Sequence, residues 1–77
     1  MRIATFDNKS SFGKLVVRHL FINGETQKSL AYKLNITEGA LSQLLNGKSK
    51  PSAKRLYDIS HILNIDISIL TDSVLEQ

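Results

Sequence analysis

The chain has 77 residues, of which 42% are hydrophobic and 22% are charged, a composition typical of one small folded domain rather than a disordered segment. It contains no cysteine, which excludes a disulfide framework, a thiolate metal site and a cysteine nucleophile. Apolar runs are no longer than three residues and no signal-peptide stretch opens the chain, so we expect a cytoplasmic protein without a membrane span.

The charge is divided unevenly along the chain. Residues 1–55 contain all ten lysines and arginines and three acidic residues, whereas residues 56–77 contain four acidic residues and no lysine or arginine. The first part therefore carries +7 and the second −4, which gives the whole chain its +3. Because a basic surface attracts polyanions, nucleic acid is the first candidate partner and an anionic membrane surface the second.

Residues 1–9 differ in pattern from the rest of the chain. The alternation of apolar and polar residues in Arg2–Phe6 is compatible with a short strand or an extended N-terminal arm. We favour a frayed terminus, whose Ile3 and Phe6 cover a little of the core, because chain ends are commonly poorly ordered.

Downstream, the helical spacing of apolar residues predicts five short helices, near 11–23, 27–34, 38–46, 53–63 and 67–75. Asn and Gly fall where these helices would end, and residues that can cap a helix stand where the next would begin. The candidate caps at the helix starts are Ser10 or Ser11, Thr26, Thr37, Ser52 and Asp66. The Asn-Gly pairs also favour β-hairpins, but their flanks lack the strict alternation of strands. We therefore predict an all-α fold, a compact bundle of about five short helices.

The most informative stretch runs from Gln27 to Asn46, where only three residues, 35–37, separate two predicted helices. So tight a turn makes the helices cross steeply, which requires a small residue at the crossing and a positive φ in the turn. Ala31 and Asn35 meet these two requirements. The apolar residues that we expect to face the shared core are Leu30, Leu34, Ile36, Leu41 and Leu44. The polar or small residues left on the outer side of the second helix are Glu38, Gly39, Ser42, Gln43 and Asn46.

This stretch resembles the helix-turn-helix of the Xre/Cro-type repressors, a family that includes the small repressors of lambdoid phages. The similarity extends from about Phe12 to about Leu70. It includes Gly-x-Thr-Gln at 24–27, Asn-Gly-Lys at 46–48, Pro-Ser at 51–52 and Leu-Asn-Ile at 63–65. The fold that the resemblance implies is a lambda-repressor-like DNA-binding domain.

The chain departs from the family pattern at three positions. Asn35 replaces a common Gly, and because Asn is the best substitute at a positive φ we expect the turn to survive. Glu25 stands where an apolar residue is usual and suggests a more exposed first loop. His19 replaces a common Leu, which leaves the register of the first helix open. The expected organisation is an N-terminal arm or short strand at 1–9, a helix-turn-helix DNA-binding domain at 10–71, and the end of the last helix or a tail at 72–77.

The resemblance implies a DNA site built on the third helix, which would enter the major groove. The residues expected to read bases are Glu38, Gly39, Ser42 and Gln43. Gln43 can make a bidentate contact to adenine, Glu38 can accept from a cytosine amino group, and Gly39 either admits a thymine methyl group or allows a close fit. The residues expected to bind the DNA backbone, some with mixed roles, are Gln27, Thr37, Asn46, Lys48, Lys50 and Lys54. Arg55 would extend this basic rim.

No arrangement of residues in the sequence indicates catalysis or a cofactor. His19 and His61 lie 42 positions apart without a cysteine or clustered carboxylates, which disfavours a metal site. Asp58 and His61 are three residues apart on the fourth predicted helix and are expected to pair on its surface. Neither a nucleophile motif nor a phosphate-binding glycine loop is present. We therefore predict a protein that is not an enzyme and has no catalytic residue, metal or cofactor.

The predicted function is that of a dimeric repressor of phage or mobile-element type, bound to a palindromic operator in double-stranded DNA and associated with the nucleoid. The aliphatic C-terminal part offers a homodimer interface, and the N-terminal arm is its rival. A restriction–modification controller, or an antitoxin that binds a toxin protein, would use the same helix-turn-helix. A protein-interaction module without DNA binding is a third alternative. Because the chain is short, we expect no ligand-binding domain and no small-molecule effector.

Overall fold

A computed structural model describes residues 10–75 of the chain. The predicted arm or strand at 1–9, and the last two residues of the predicted tail, lie outside the described residues. Within residues 10–75 there are five helices and no strand, so the predicted all-α class is confirmed. The helices are α1 (Ser11–Asn23), α2 (Gln27–Leu34), α3 (Glu38–Leu45), α4 (Ala53–Leu63) and α5 (Ile67–Leu75).

Four of the five predicted helices have the bounds that the structure gives, and the third ends one residue earlier than predicted. Asn46 leaves the helical region at φ −91° and ψ 2°, and Gly47 follows it with φ 78°. A glycine at positive φ commonly terminates a helix because it has no Cβ to clash with the preceding carbonyl. The Asn-Gly pair at 46–47 therefore ends α3 before Asn46 can join it.

The helix ends follow the cap residues of the sequence. The side-chain oxygens of Ser10, Thr26, Thr37 and Ser52 each accept a hydrogen bond from a backbone N–H three residues later. Asp66 caps α5 through its carboxylate, which accepts from the Ser68 N–H at 2.9 Å. The residues that close α1, α2 and α4 in the left-handed conformation are Gly24, Asn35 and Asn64. Each of the side-chain caps at the helix starts stabilises its helix by about 1 kcal/mol. This contribution matters for helices that have only eight to thirteen residues.

The core is aliphatic apart from one phenylalanine and contains side chains from every helix. α1 packs against α3, α4 and α5, while α2 packs against α3 and α4. The largest fully buried side chains are Phe12, Leu30, Leu41, Leu45, Ile59, Leu63, Leu70 and Val16. Burial of each contributes about 1.5–3 kcal/mol relative to exposure. Of the five residues expected to face the shared core of the helix-turn-helix, Ile36 is only partly buried, because it lies in the turn.

Two side chains tie the ends of α1 to the rest of the bundle. Ser10 donates both its N–H and its hydroxyl to the Leu45 carbonyl, each at 3.1 Å, and so joins the start of α1 to the end of α3. At the other end, the Asn23 amide donates to the His19 carbonyl at 2.7 Å and to the Leu63 carbonyl at 3.1 Å. These bonds therefore join the start of α1 to the end of α3 and the end of α1 to the end of α4. In residues 10–75, no helix has the length and apolar character needed to cross a membrane.

Candidate nucleic-acid interface

Helix α3 has one buried side and one exposed side. Leu41, Leu44 and Leu45 face the core, and their spacing leaves the opposite side of the helix to solvent. On that side Glu38, Gly39 and Gln43 are exposed, as predicted, while Ser42 and Asn46 are half-buried. Ala40 is also exposed, although the sequence reasoning did not include it. The exposed surface of α3 is thus made of small and hydrogen-bonding groups within little more than two turns.

The turn before α3 has the geometry that the sequence predicts. Asn35 adopts φ 61° and ψ 42°, and its N–H donates to the Tyr32 carbonyl at 3.0 Å. The next N–H, that of Ile36, donates to the Ala31 carbonyl at 3.0 Å, and Ala31 itself is buried where α2 meets α3. Thr37 then caps α3 by accepting from the Ala40 N–H at 3.0 Å, and its exposed hydroxyl retains a proton to donate.

The segment after α3 folds back onto the last turn of that helix. The N–H groups of Lys48 and Ser49 both donate to the Gln43 carbonyl, at 2.9 and 3.3 Å, and the Asn46 amide donates to the Ser42 hydroxyl at 3.4 Å. This arrangement holds Lys48 close to the backbone of the exposed helix surface, and the Lys48 side chain points into solvent. Lys50 is exposed as well. The structure thus brings the Lys48 backbone next to the last turn of α3.

The charged residues of α4 have partners within the chain. Lys54 lies 3.1 Å from Asp58 in an i,i+4 ion pair, with 83% of its side chain exposed. The expected pair between Asp58 and His61 is therefore wrong: Asp58 binds Lys54, and the His61 ring packs edge-on against Tyr57 with 4.6 Å between centroids. Because Lys54 and Asp58 are four residues apart, their side chains lie one turn apart on the same face of α4.

Arg55 has a role that the sequence did not indicate. Its guanidinium donates through Nη1 to the Leu34 carbonyl at 3.1 Å and is half-buried. That carbonyl is left without a helical partner because Asn35 turns the chain away into the left-handed conformation. Arg55 therefore caps the end of α2, a role additional to its expected place in the basic rim. A groove of about 260 Å³, lined by Ala40, Gln43, Lys50 and Arg55 among others, separates α3 from the start of α4.

The loop before α2 is held by an ion pair and a hydrogen bond to Glu25. Lys33 lies 2.7 Å from the Glu25 carboxylate, and the Ser29 hydroxyl donates to the same group at 2.6 Å. The hydrogen bond from Lys33, followed by that from Ser29, lowers the pKa of the Glu25 carboxyl. The expectation of a more exposed loop at Glu25 is therefore only partly correct, because the residue is half-buried and paired. Gln27, predicted to reach DNA, is half-buried at the first position of α2.

The described residues have no arrangement typical of a metal centre. Residues 10–75 contain no group of three His, Cys, Asp or Glu side chains close enough to hold a metal ion. His19 lies within α1 with Nδ1 at 3.1 Å from the Leu15 carbonyl, so its ring is engaged by its own helix.

The chemistry that the exposed side of α3 can perform is hydrogen bonding to a flat, patterned surface, supported by neighbouring cations.

Comparison with known proteins gives one match. A family model described as helix-turn-helix matches residues 23–70, a range that begins at the end of α1 and extends into α5. Neither the curated proteins nor the solved structures give a significant match to the chain. The matched range contains every residue that the sequence assigned to base or backbone contacts, from Gln27 to Lys54.

Proposed function

The chain belongs to the Xre/lambda-repressor-like helix-turn-helix family of DNA-binding regulators, and from that membership we propose that it is a dimeric, sequence-specific repressor of phage or mobile-element type. The observation that carries this proposal is the exposed side of α3, which is polar or small and has Lys48 folded back beside it. Such a surface suits base edges flanked by phosphates. The family is one of DNA-binding regulators and is generally not enzymatic.

Base reading is assigned to α3. Gln43 projects from the middle of the exposed side, where its amide can donate to and accept from one adenine. Glu38 can accept from a cytosine amino group and is repelled by phosphate, which favours a position over bases. Ser42 is half-buried and already accepts from Asn46, so its remaining hydroxyl proton is the group available to DNA.

Backbone contacts are assigned to residues on both sides of that surface. The residues proposed to bind sugar or phosphate are Gln27, Thr37, Asn46, Lys48, Lys50 and Lys54. Lys48 and Lys50 are exposed next to α3 and are supported best. Lys54 would have to exchange its pair with Asp58 for a phosphate, a small loss because a surface ion pair contributes little to stability.

A second copy of the chain is assigned to the outer side of α5. Ile69 is 52% exposed and Leu75 is 75% exposed, although neighbouring Leu70 is fully buried. Ile69 lines the α1–α5 groove together with Arg18 and Asp72, so a two-fold axis through this groove can pair opposite charges beside an aliphatic side chain. A two-fold dimer would present two α3 helices about 34 Å apart, one turn of DNA.

The proposed mechanism is occlusion. A dimer bound to an operator that overlaps a promoter excludes RNA polymerase, and protein concentration sets the occupancy. The alternatives in the same class are a restriction–modification controller and an antitoxin, whose toxin partner would also use exposed aliphatic residues on α5. Copurification of a stoichiometric partner protein would favour the antitoxin.

The test is selection of bound sequences from a random duplex pool near physiological salt, about 150 mM. We expect enrichment of a palindrome whose half-site centres lie about 10 base pairs apart. The same protein should sediment as a dimer on that operator. Weak binding without an enriched sequence, lost steeply as salt rises, would contradict a sequence-specific function.

A further inference from the structure

Gly39 has no structural reason to be glycine. It lies in the second position of α3 and is exposed, and unlike Gly24 (φ 67°) and Gly47 (φ 78°) it has no positive φ. A Cβ built at Gly39 meets only the Thr37 hydroxyl oxygen, at 3.9 Å, which is an ordinary van der Waals contact. Neither the backbone conformation nor the packing of the chain therefore excludes a side chain here.

Glycine also weakens the helix that contains it. It loses more backbone entropy on folding than alanine does and leaves the helix backbone more exposed to water. α3 has only eight residues, and short helices have little stability of their own. The absence of an internal reason, together with this disadvantage, points to a requirement set by a molecule that approaches α3 from outside.

The position of Gly39 identifies where that approach occurs. Gln43 lies four residues further on and therefore one turn along the same exposed side, opposite the buried Leu41 and Leu45. Without a Cβ, the surface at Gly39 presents Cα–H and peptide groups beside Gln43, and open space lies where a side chain would stand. Because no side chain here offers a hydrogen bond, the freed space suits a small apolar projection from a base pair better than a hydrogen-bonding edge.

We propose that Gly39 is a specificity-determining residue, and that its missing side chain accommodates the C5 methyl group of a thymine. Among the groups at the edges of base pairs in the major groove, this methyl is the apolar projection. This inference rests on the proposed function and goes further, because it names the base and the reason for the glycine. It also predicts that the thymine lies next to the base pair read by Gln43.

The experiment is a double-mutant cycle between protein and DNA. Gly39→Ala is compared with wild type on the selected operator and on operators in which one thymine per half-site is replaced by deoxyuridine, which lacks the methyl group. We expect Gly39→Ala to lose about tenfold in affinity for the thymine operator, the size of one base mismatch. At one thymine position, deoxyuridine should restore most of the affinity that Gly39→Ala has lost. Deoxyuridine at the other thymines is the matched control and should restore none of it.

Stability is measured on the same variant by denaturant unfolding. We expect the midpoint of Gly39→Ala to be equal to or higher than that of wild type, so that weaker DNA binding cannot come from unfolding. Unchanged affinity of Gly39→Ala, or an equal loss on every operator without rescue by deoxyuridine, overturns the proposal. If wild type itself selects no sequence, the proposed function fails instead, and the two failures are thereby distinguished.

Discussion

Helices α3 and α5 are similar in length and differ in what they expose. Each buries leucine on one side, but the exposed residues of α3 are Gln43 and small or polar residues, whereas those of α5 include Ile69 and Leu75. The flanking charges differ as well, since lysines follow α3, whereas Asp66 precedes α5 and Asp72 lies within it. Exposed aliphatic residues are common singly, so the support for a protein contact at α5 is Ile69, which lines the α1–α5 groove. The comparison teaches that burial patterns alone do not distinguish the two helices, and that the chemistry of the exposed residues is what supports the proposed DNA contact of α3 and the proposed protein contact of α5.

The largest effect is expected on the α5 side. Ile69→Asp should dissociate the proposed dimer and lower operator affinity by roughly 10²-fold, because binding of two linked half-sites is lost. Sedimentation without DNA and titration with operator measure the two effects. Tyr32→Asp, which changes an exposed aromatic residue of α2, is the control and should remain dimeric. A dimer that survives Ile69→Asp would remove α5 from the interface.

The Gln43→Ala variant tests whether α3 reads bases. We expect a loss of about 1–3 kcal/mol per half-site on the selected operator and a relaxed preference at one base pair of each half-site, since one bidentate contact is removed from each. Binding to random duplex should stay the same. Repeating the sequence selection with the variant locates the affected base pair, and equal losses on specific and random DNA would contradict base reading.

Lys48→Ala is expected to act on all sequences alike. Removal of one phosphate contact from each half-site should weaken specific and random duplexes by the same factor and reduce the salt slope of binding by about 0.9 per half-site, or about 1.8 for the dimer. Lys33→Ala is the charge-matched control, because Lys33 is already paired with Glu25. If both variants change the slope equally, the effect comes from net charge rather than from the position of Lys48.

The smallest effect concerns acid stability. Because the pKa of Glu25 is lowered in the folded chain, its contribution is complete above the ordinary value of 4.5 and is lost as pH falls through the lowered pKa. Wild type should therefore lose more stability over that acid range than Glu25→Gln does, as measured by denaturant unfolding at each pH. In the Lys33→Ala background, Glu25→Gln should change this pH dependence much less, since the principal cause of the shift is gone.

The sequence predicts the helices and their caps well because both depend on neighbours within about four residues. Asn35 illustrates this: its place after an apolar helix and before Thr37 determines its left-handed conformation. The exposed side of α3 follows from the same local spacing, except for Ala40. Its exposure depends on how far the start of α4 covers α3, which periodicity does not encode.

Contacts between residues distant in sequence could not be predicted. Arg55 and Leu34 are separated by 21 residues, and nothing in either neighbourhood indicates their hydrogen bond. For Asp58 the helical spacing suggested His61, three residues on, although Lys54 lies four residues before it. The structure places Lys54 against it, while Tyr57 engages the His61 ring. Composition indicated a DNA partner, but the positions of the individual charges depend on the tertiary fold.

The hydrogen bond from Arg55 to the Leu34 carbonyl has a consequence for how the domain opens. It attaches the turn between α2 and α3 to α4, whose Ile59 and Leu63 lie deep in the core. The bond therefore opposes local opening of the turn, and we expect the hydrogen-bonded amides there to exchange with deuterium more slowly than those of an unattached turn. The Ile36 amide, bonded to the Ala31 carbonyl at 3.0 Å, is the one that would report this protection. Through Arg55, the helix-turn-helix is thus attached to the helix that follows it.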